Sequence, residues 1–232
     1  MGNVINRPIV VVTGTQREAA VLEDNGVEVI CGGSDPERLE RMLTMVAPNA
    51  AGLVSFGMCG AIDRSLRLGQ WIIGKRLSGT FHTRSDEAWV SALRGRMPKA
   101  RVGSIYADGS LLTEQGEKAT RSWSSAALAA DMESHIVGAV ATQFNLPFVM
   151  LRCVSDIAEV VLPPAVDVMM GPQGEVDVGA VMRSIAMRPT QLPHLASTIS
   201  GFAKAYRELI AGAKLFGPRL AFEERMFFQP SP

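Results

Sequence analysis

Apolar positions along the chain recur in two rhythms. Short β-branched runs, "PIVVVTG" (8–14), "VEVICG" (27–32), "AGLVSFG" (51–57), "QWIIGKRL" (70–77), "RVGSIYA" (101–107) and "FVMLRCVS" (148–155), alternate with stretches of helical periodicity. Several runs are apolar at every position, as strands covered on both faces must be. Between them, "DPERLERMLTMV" carries Leu39, Met42, Leu43 and Val46 three or four residues apart, with Asp35 as N-cap and Pro36 as first helical residue. A second long helix is predicted from Leu192 onward. There Leu195, Ile199, Phe202, Tyr206 and Ile210 recur at the same spacing, and the helix is expected to pack across the sheet. The Pro/Gly-rich "LPPAVDVMMGPQGEVD" (162–177) reads as a long loop, and loops of that length in a folded domain tend to carry function. The alternation predicts an α/β fold, and 232 residues suit one well-filled domain spanning 1–232.

Charge narrows the choice of partners. Lys plus Arg and Asp plus Glu both total 23, so the formal net charge is zero, and no run of one sign is long enough to track a phosphate backbone. Nucleic acid is not an expected partner. Cys31, Cys59 and Cys153 are odd in number, far apart and without a Cys-x-x-Cys pair, so they read as small buried hydrophobes in a reducing compartment rather than as metal ligands. "MGNVINRPIVVVTG" has no basic start followed by a long apolar core, no stretch is long enough to cross a bilayer, and Asn6 breaks the myristoylation pattern. The expected location is the cytoplasm, with no integral membrane segment.

Candidate chemistry sits at strand ends. The run "FVMLRCVS" leads into Ser155 and Asp156 at its C-terminal edge, where α/β sheets place ligands. Arg152, in mid-strand, is costly to bury alone and must meet a carboxylate or reach the sheet end. A turn-capping Asp156 and a purely structural Arg152 fit the motif equally well. Upstream, "VVVTGTQREAAVL" is a strand, a turn and a helix whose first turn holds Arg17 and Glu18; its amides offer an anion site, while the plainer role for Glu18 is to complement the helix dipole. A single glycine there is not a dinucleotide fingerprint. Gly57 and Gly60 in "SFGMCGAID" permit close backbone approach to a ligand or a tight turn for packing. His82, His135 and His194 do not cluster and read as structural, with His135, beside Glu133, the candidate for a site role.

Taken in order, strand–"GTQRE", "SFGMCGAID", "IYADGSLL", "ADMES" and "LPFVMLRCVSDIAE" resemble the purine nucleoside phosphorylase and methylthioadenosine/adenosylhomocysteine nucleosidase superfamily, from Pro8 to about Ala158. "VICGGSDPERLERML", "DMESHIVGAVA" and "RPTQLPHL" are similar, more narrowly, to its hopanoid-associated phosphorylase branch. The resemblance implies a three-layer αβα domain with a central twisted mixed β-sheet. It also implies cleavage of the N-glycosidic bond of a purine nucleoside, in this branch the release of adenine from adenosylhopane. No cofactor or metal is implied, although inorganic phosphate is a possible co-substrate, and a homodimer or larger homo-oligomer is expected.

Residue by residue, the resemblance makes Asp156 the acid at the purine N7, with Ser155 beside it. Glu133 becomes the ribose-hydroxyl clamp, Met132 the residue against the sugar, Glu18 the base that activates water, and Leu111 a backbone contact to the base edge. Gly57 belongs to the glycine-containing strand end beside the substrate. Ser110 stands where the nucleosidases carry a stacking aromatic, and Ser55 and Met58 stand where the phosphorylases bind phosphate. Hydrolysis is therefore expected, with Arg17, Arg64 or Arg84 as another route to a phosphate site. A nucleoside-binding protein without catalysis is the non-enzymatic alternative; the presence of both Asp156 and Glu133 argues against it. A lipid-sized 5′ substituent needs an apolar exit, for which Phe222, Phe227 and Phe228 are candidates, although aromatics in a tail equally fit a subunit interface or a membrane-facing surface; Met169 and Met170 suit an adaptable pocket or plain core filling.

Overall fold

The computed structural model describes residues 7–223 apart from 115, 117, 119 and 121–124; Phe227 and Phe228 lie outside the described residues. The apolar runs pair into one mixed sheet of eight strands: β1 (Ile9–Thr13), β2 (Glu28–Cys31), β3 (Gly52–Ala61), β4 (Trp71–Gly79), β5 (Thr83–Arg84), β6 (Arg101–Ala107), β7 (Ala127–Asp131) and β8 (Phe148–Asp156). The order β2-β1-β3-β7-β6-β4-β5 is short-circuited by β8, which lies between β3 and β4, so that β3, β8, β4, β6 and β7 close into a ring. The ten-residue β3 makes this possible. It runs parallel to β8 from Leu53 and then pairs antiparallel with β7 at Gly60 and Ala61. β7, with the weakly β-prone sequence ALAAD, and the two-residue β5 carry little strand signal and have no counterpart in the sequence reading.

Helices cover both faces. Val10 and Val12 of β1 point into one core with Leu39 and Leu43 of α2 (Pro36–Val46) and Val137 and Val140 of α4 (Ser134–Gln143). Ile9 and Val11 point into the other, with Trp89 and Leu93 of α3 (Glu87–Arg96) and Ala205, Leu209 and Phe216 of α7 (Leu192–Phe216). This is the three-layer arrangement expected. Asp35 caps α2 through the Arg38 amide at 2.9 Å, with Pro36 at the start, as read from sequence.

The long helix α7 lies across β8 and β3, but on a different face from the one its large residues suggested. Ile199 and Ile210 are exposed, and the buried positions are Thr198, Gly201, Ala205, Leu209, Gly212, Ala213 and Phe216. Small residues win because the helix backbone sits close to the sheet. A Cβ on Gly201 would fall 2.5 Å from the Ser155 carbonyl oxygen, and one on Gly212 would fall 2.3 Å from the Trp71 ring. Phe222 belongs to the core with α7, packed edge-on against Trp89 at 4.8 Å between ring centroids, and lines no exit. The 162–177 segment is not structureless: it holds the one-turn helix α5 (Pro164–Asp167) and a Met170–Val176 bridge, and leads into α6 (Val178–Met187). Among the described residues, no helix is long and apolar enough to cross a membrane. Cys59 and Cys153 are buried as expected, while Cys31 is only half-buried; all three are free thiols.

Candidate active site

The C-terminal ends of β1, β3, β7 and β8 converge on a cleft of about 200 Å³, lined by Glu18, Glu133 and Asp156 and walled by Met132, Leu162, Val166, Met169, Met170 and Phe202. A smaller extension of about 30 Å³ continues past Leu111 to Ser110, Leu112 and Lys118. Four of the residues singled out in the sequence, Glu18, Glu133, Ser155 and Asp156, are thus buried around one space although they are up to 138 positions apart (156 minus 18).

Glu18 is fixed by backbone. It lies in the five-residue helix α1 (Gln16–Ala20), and its carboxylate accepts hydrogen bonds from the Thr15 amide at 2.9 Å, the Thr15 hydroxyl at 3.0 Å and the Met58 amide at 2.7 Å. The Thr15 hydroxyl in turn accepts the Glu18 amide, closing a capping box. The Gln16 amide donates to the Gly174 carbonyl. The expected anion site at this helix start is therefore met from within, by the protein's own carboxylate and carbonyl. Gly57 does not line the cleft. With φ at +149°, it leaves the room that Glu18 occupies: a Cβ there would fall 2.5 Å from Glu18 Oε1 and 3.2 Å from Arg152 Nη1.

Asp131 ends β7, and Glu133 is the N-cap residue of α4. Asp131 Oδ1 accepts the Glu133 and Ser134 amides at 3.0 and 2.7 Å, so it is the side chain that caps the helix. Its other oxygen accepts the Ser134 hydroxyl at 2.6 Å and lies 2.9 Å from Arg152 Nε, an ionic contact off the line of a hydrogen bond. Arg152, 1% exposed, also donates to the Ser55 and Ser134 hydroxyls and lies 3.6 Å from Glu133 Oε2. The expectation that a mid-strand arginine must find a carboxylate is met twice. Burial pushes the Glu133 carboxyl up to about 7 against the attraction of Arg152, with Asp131 and Glu18 adding to the rise.

At the far end, Asp156 faces Gly60 across a register shift between β3 and β8, and a Cβ on that glycine would lie 3.1 Å from its Oδ2. Ser155 Oγ lies 3.1 Å from both Asp156 Oδ1 and the Cys59 carbonyl. Asp156 Oδ2 pairs at 2.5 Å with Lys118 Nζ, which is itself 2% exposed and also donates to the Val160 carbonyl at 3.1 Å. Burial raises the Asp156 carboxyl above its ordinary value, opposed by Lys118 and by the Ser155 hydroxyl. Sequence reasoning missed Lys118: in "TEQGEKATRS" nothing distinguishes it from a solvated helix charge.

The remaining expectations sort by position. Met132 lines both parts of the cleft, and Leu111 stands where they join. Ser110 is exposed, with its amide and hydroxyl donating to Asp108. Arg17 stacks on Tyr206 at 4.7 Å, Arg64 sits 3.9 Å from Glu159, and Arg84 lies on β5; none of the three lines the cleft. His135 lies outside the cleft as well, beside Gly109, with Nδ1 buried and unpartnered. Among the described residues, no group of three or more His, Cys, Asp or Glu is placed to hold a metal ion.

This fold and this set of buried carboxylates define a class. The chain matches the phosphorylase superfamily over residues 6–170 and belongs to it. It is an enzyme of the nucleosidase or nucleoside phosphorylase kind. No curated protein matches the chain. Solved structures do. The 5′-methylthioadenosine/S-adenosylhomocysteine nucleosidase of S. pneumoniae with the transition-state inhibitor MT-ImmA aligns with a TM-score of 0.59 at 14% identity, covering 90% of this chain and 99% of that one. The Streptococcus pyogenes S-adenosylhomocysteine nucleosidase in complex with 5-methylthiotubericidin gives 0.59 at 14%, over 88% and 98%. The Campylobacter jejuni 5′-methylthioadenosine/S-adenosylhomocysteine nucleosidase gives 0.58 at 17%, over 87% and 99%. At these identities the likeness establishes the fold.

Proposed function

We propose that the protein hydrolyses the N-glycosidic bond of a 5′-substituted adenosine, releasing adenine. The observation that carries this reading is the convergence of Glu18, Glu133 and Asp156, all buried, on one cleft. Breaking the C1′–N9 bond builds positive charge on the sugar and negative charge on the departing base. Carboxylates beside the sugar and an acid beside the base then stabilise the transition state more than the ground state.

In the proposed mechanism, Glu133 accepts the ribose hydroxyls and Met132 packs against the sugar. Glu18, held by two amides and a hydroxyl, takes a proton from the attacking water. The water oxygen bonds to C1′, the C1′–N9 electron pair leaves with the base, and Asp156 delivers a proton to N7. The buried ammonium of Lys118 beside Asp156 is the nearest source of that proton. Leu111 contacts the base edge through its backbone, and no metal takes part.

Water is favoured over phosphate by the site's charge. The amides of Thr15, Gln16 and Met58 already serve carboxylate or carbonyl acceptors, and Arg152 is paired with Asp131 and Glu133. A phosphate dianion would enter beside Glu18, Glu133 and Asp156 and, among the described residues, meet no unpaired cation lining the cleft, at a Coulombic cost of several kcal/mol, on the order of 4 for each like-charge pair at 4 Å in a partly buried site.

For the 5′ substituent, the apolar wall formed by Leu162, Val166, Met169, Met170 and Phe202 suits a hydrocarbon group, and adenosylhopane is the proposed substrate. A homodimer or larger assembly is part of the proposal, and a single monomeric boundary at micromolar concentration in sedimentation velocity would remove it. The test of the reaction is adenine release from adenosylhopane, methylthioadenosine and adenosine, each with and without phosphate. Phosphate-independent release, fastest with the lipid nucleoside, is expected; strict phosphate dependence would assign the reaction to a phosphorylase instead.

A further inference from the structure

Around the mouth of the cleft, apolar side chains that elsewhere fill the core face outward. α6 buries none of its residues: Met182 is 59% and Met187 77% exposed, and Val178 lies one turn before Met182 on the same side. On α7 the buried face is the small-residue one, which leaves Leu192, Ala196, Ile199 and Ala203 exposed at i, i+4, i+7 and i+11. These are the first turns of the helix whose Phe202 lines the cleft. α6 packs on α5, whose Val166 lines the same cleft. The unpartnered surface and the wall of the site are thus built on the same elements.

Charge on this surface is predominantly positive. Between 178 and 207 the sequence contains no Asp or Glu, while Arg183, Arg188, Lys204 and Arg207 are all exposed. In a chain of zero net charge this is a local asymmetry; the nearest acids in sequence are Asp177, the N-cap of α6, and Glu208, which follows Arg207 on α7. Exposed apolar side chains interleaved with cations, on helices too short or too polar to span, are the pattern of a surface lying in the headgroup layer of an anionic bilayer. A self-complementary contact between two copies would bring the four cations of one chain toward those of the other, which disfavours a second copy as the occupant.

We propose that α6 and the N-terminal half of α7 dock on an anionic lipid surface and present the cleft to a membrane-borne nucleoside. This inference rests on the lipid-linked substrate reading for its purpose, but lipid binding is measured without turnover. The full chain is sedimented with vesicles of phosphatidylcholine alone or mixed with phosphatidylglycerol, at low and high salt. Wild type is expected to pellet with the mixed vesicles and to dissociate as salt rises. Met182→Glu with Met187→Glu is expected to lower the bound fraction about tenfold, and Arg183→Gln with Arg188→Gln to remove most of the salt dependence. These side chains are exposed and outside the cleft, so adenine release from water-soluble adenosine should be unchanged in both variants. Absence of pelleting by wild type would overturn the proposal, as would binding indifferent to both double variants. So would a vesicle-inert dimer that the Met-to-Glu pair converts to monomer, since the face would then belong to a second copy. Pelleting without any adenine release would leave docking standing and refute the proposed reaction.

Discussion

The two ends of the cleft hold their carboxylates in different ways. At the sugar end, Glu133 and Asp131 share Arg152, a strand residue whose other donors meet Ser55, Ser134 and the Met58 carbonyl; every group comes from a strand, its end or the first residues of α4. At the base end, among the described residues, Asp156 has one cationic partner, Lys118, supplied by the connection between β6 and β7. A charge held by many partners on paired strands is structural as well as functional. One held by a single lysine on a connection can change partner or protonation state during turnover. The first end orients, and the second moves a proton.

That contrast can be broken by removing groups one at a time. Asp156→Asn keeps the shape and loses the acid, so kcat should fall by roughly 10²–10⁴ with ligand binding retained; an unchanged rate would remove Asp156 from the mechanism. Arg152→Met leaves Asp131 and Glu133 buried without their cation and should cost about 3–5 kcal/mol, read as a large drop in Tm. If instead the variant melts normally and only loses activity, the sugar end is not the structural one. Lys118→Met should lower kcat by roughly tenfold to a hundredfold while changing Tm far less than Arg152→Met, and it should alter the limb of the pH–rate profile that belongs to the acid. The reverse ranking of the two cation variants in Tm would invert the assignment of the two ends.

The smallest effect concerns pH. The Glu133 carboxyl is held near 7 in the folded protein against an ordinary value of 4.5, so between those values the folded state keeps a proton that the unfolded chain has released. Unfolding then becomes easier as pH rises through that window. Glu133→Gln cannot titrate, so the Tm of wild type should fall relative to the variant between pH 4.5 and pH 8. Wild-type kcat/KM, which needs the ionised clamp, should rise over the upper part of the same range. A constant Tm difference across it would contradict the raised carboxyl.

Much of this was legible in the sequence because strands and motif residues coincide. The run 101–107 is β6 without correction, and "RCVSD" and "DMES" mark both ends of the cleft. What escaped was whatever depends on contact across the fold. Lys118 is buried only because Asp156 and the Val160 carbonyl surround it. Asp131, to which the sequence reading gave no role, is a strand end that caps α4 and holds Arg152. Gly57 looked like a ligand-facing glycine and instead makes room for Glu18. The phase of α7 was misread because the large residues were taken as the buried ones, whereas the close approach to Ser155 and Trp71 selects Gly201 and Gly212.

The most direct measurement is the fate of the sugar when the enzyme turns over in H₂¹⁸O without phosphate and, separately, with it. A hydrolase with Glu18 as base yields adenine and a ribose product carrying ¹⁸O at C1 in both conditions. A sugar 1-phosphate formed only when phosphate is present, with no label from water, would contradict the hydrolytic mechanism and the role given to Glu18.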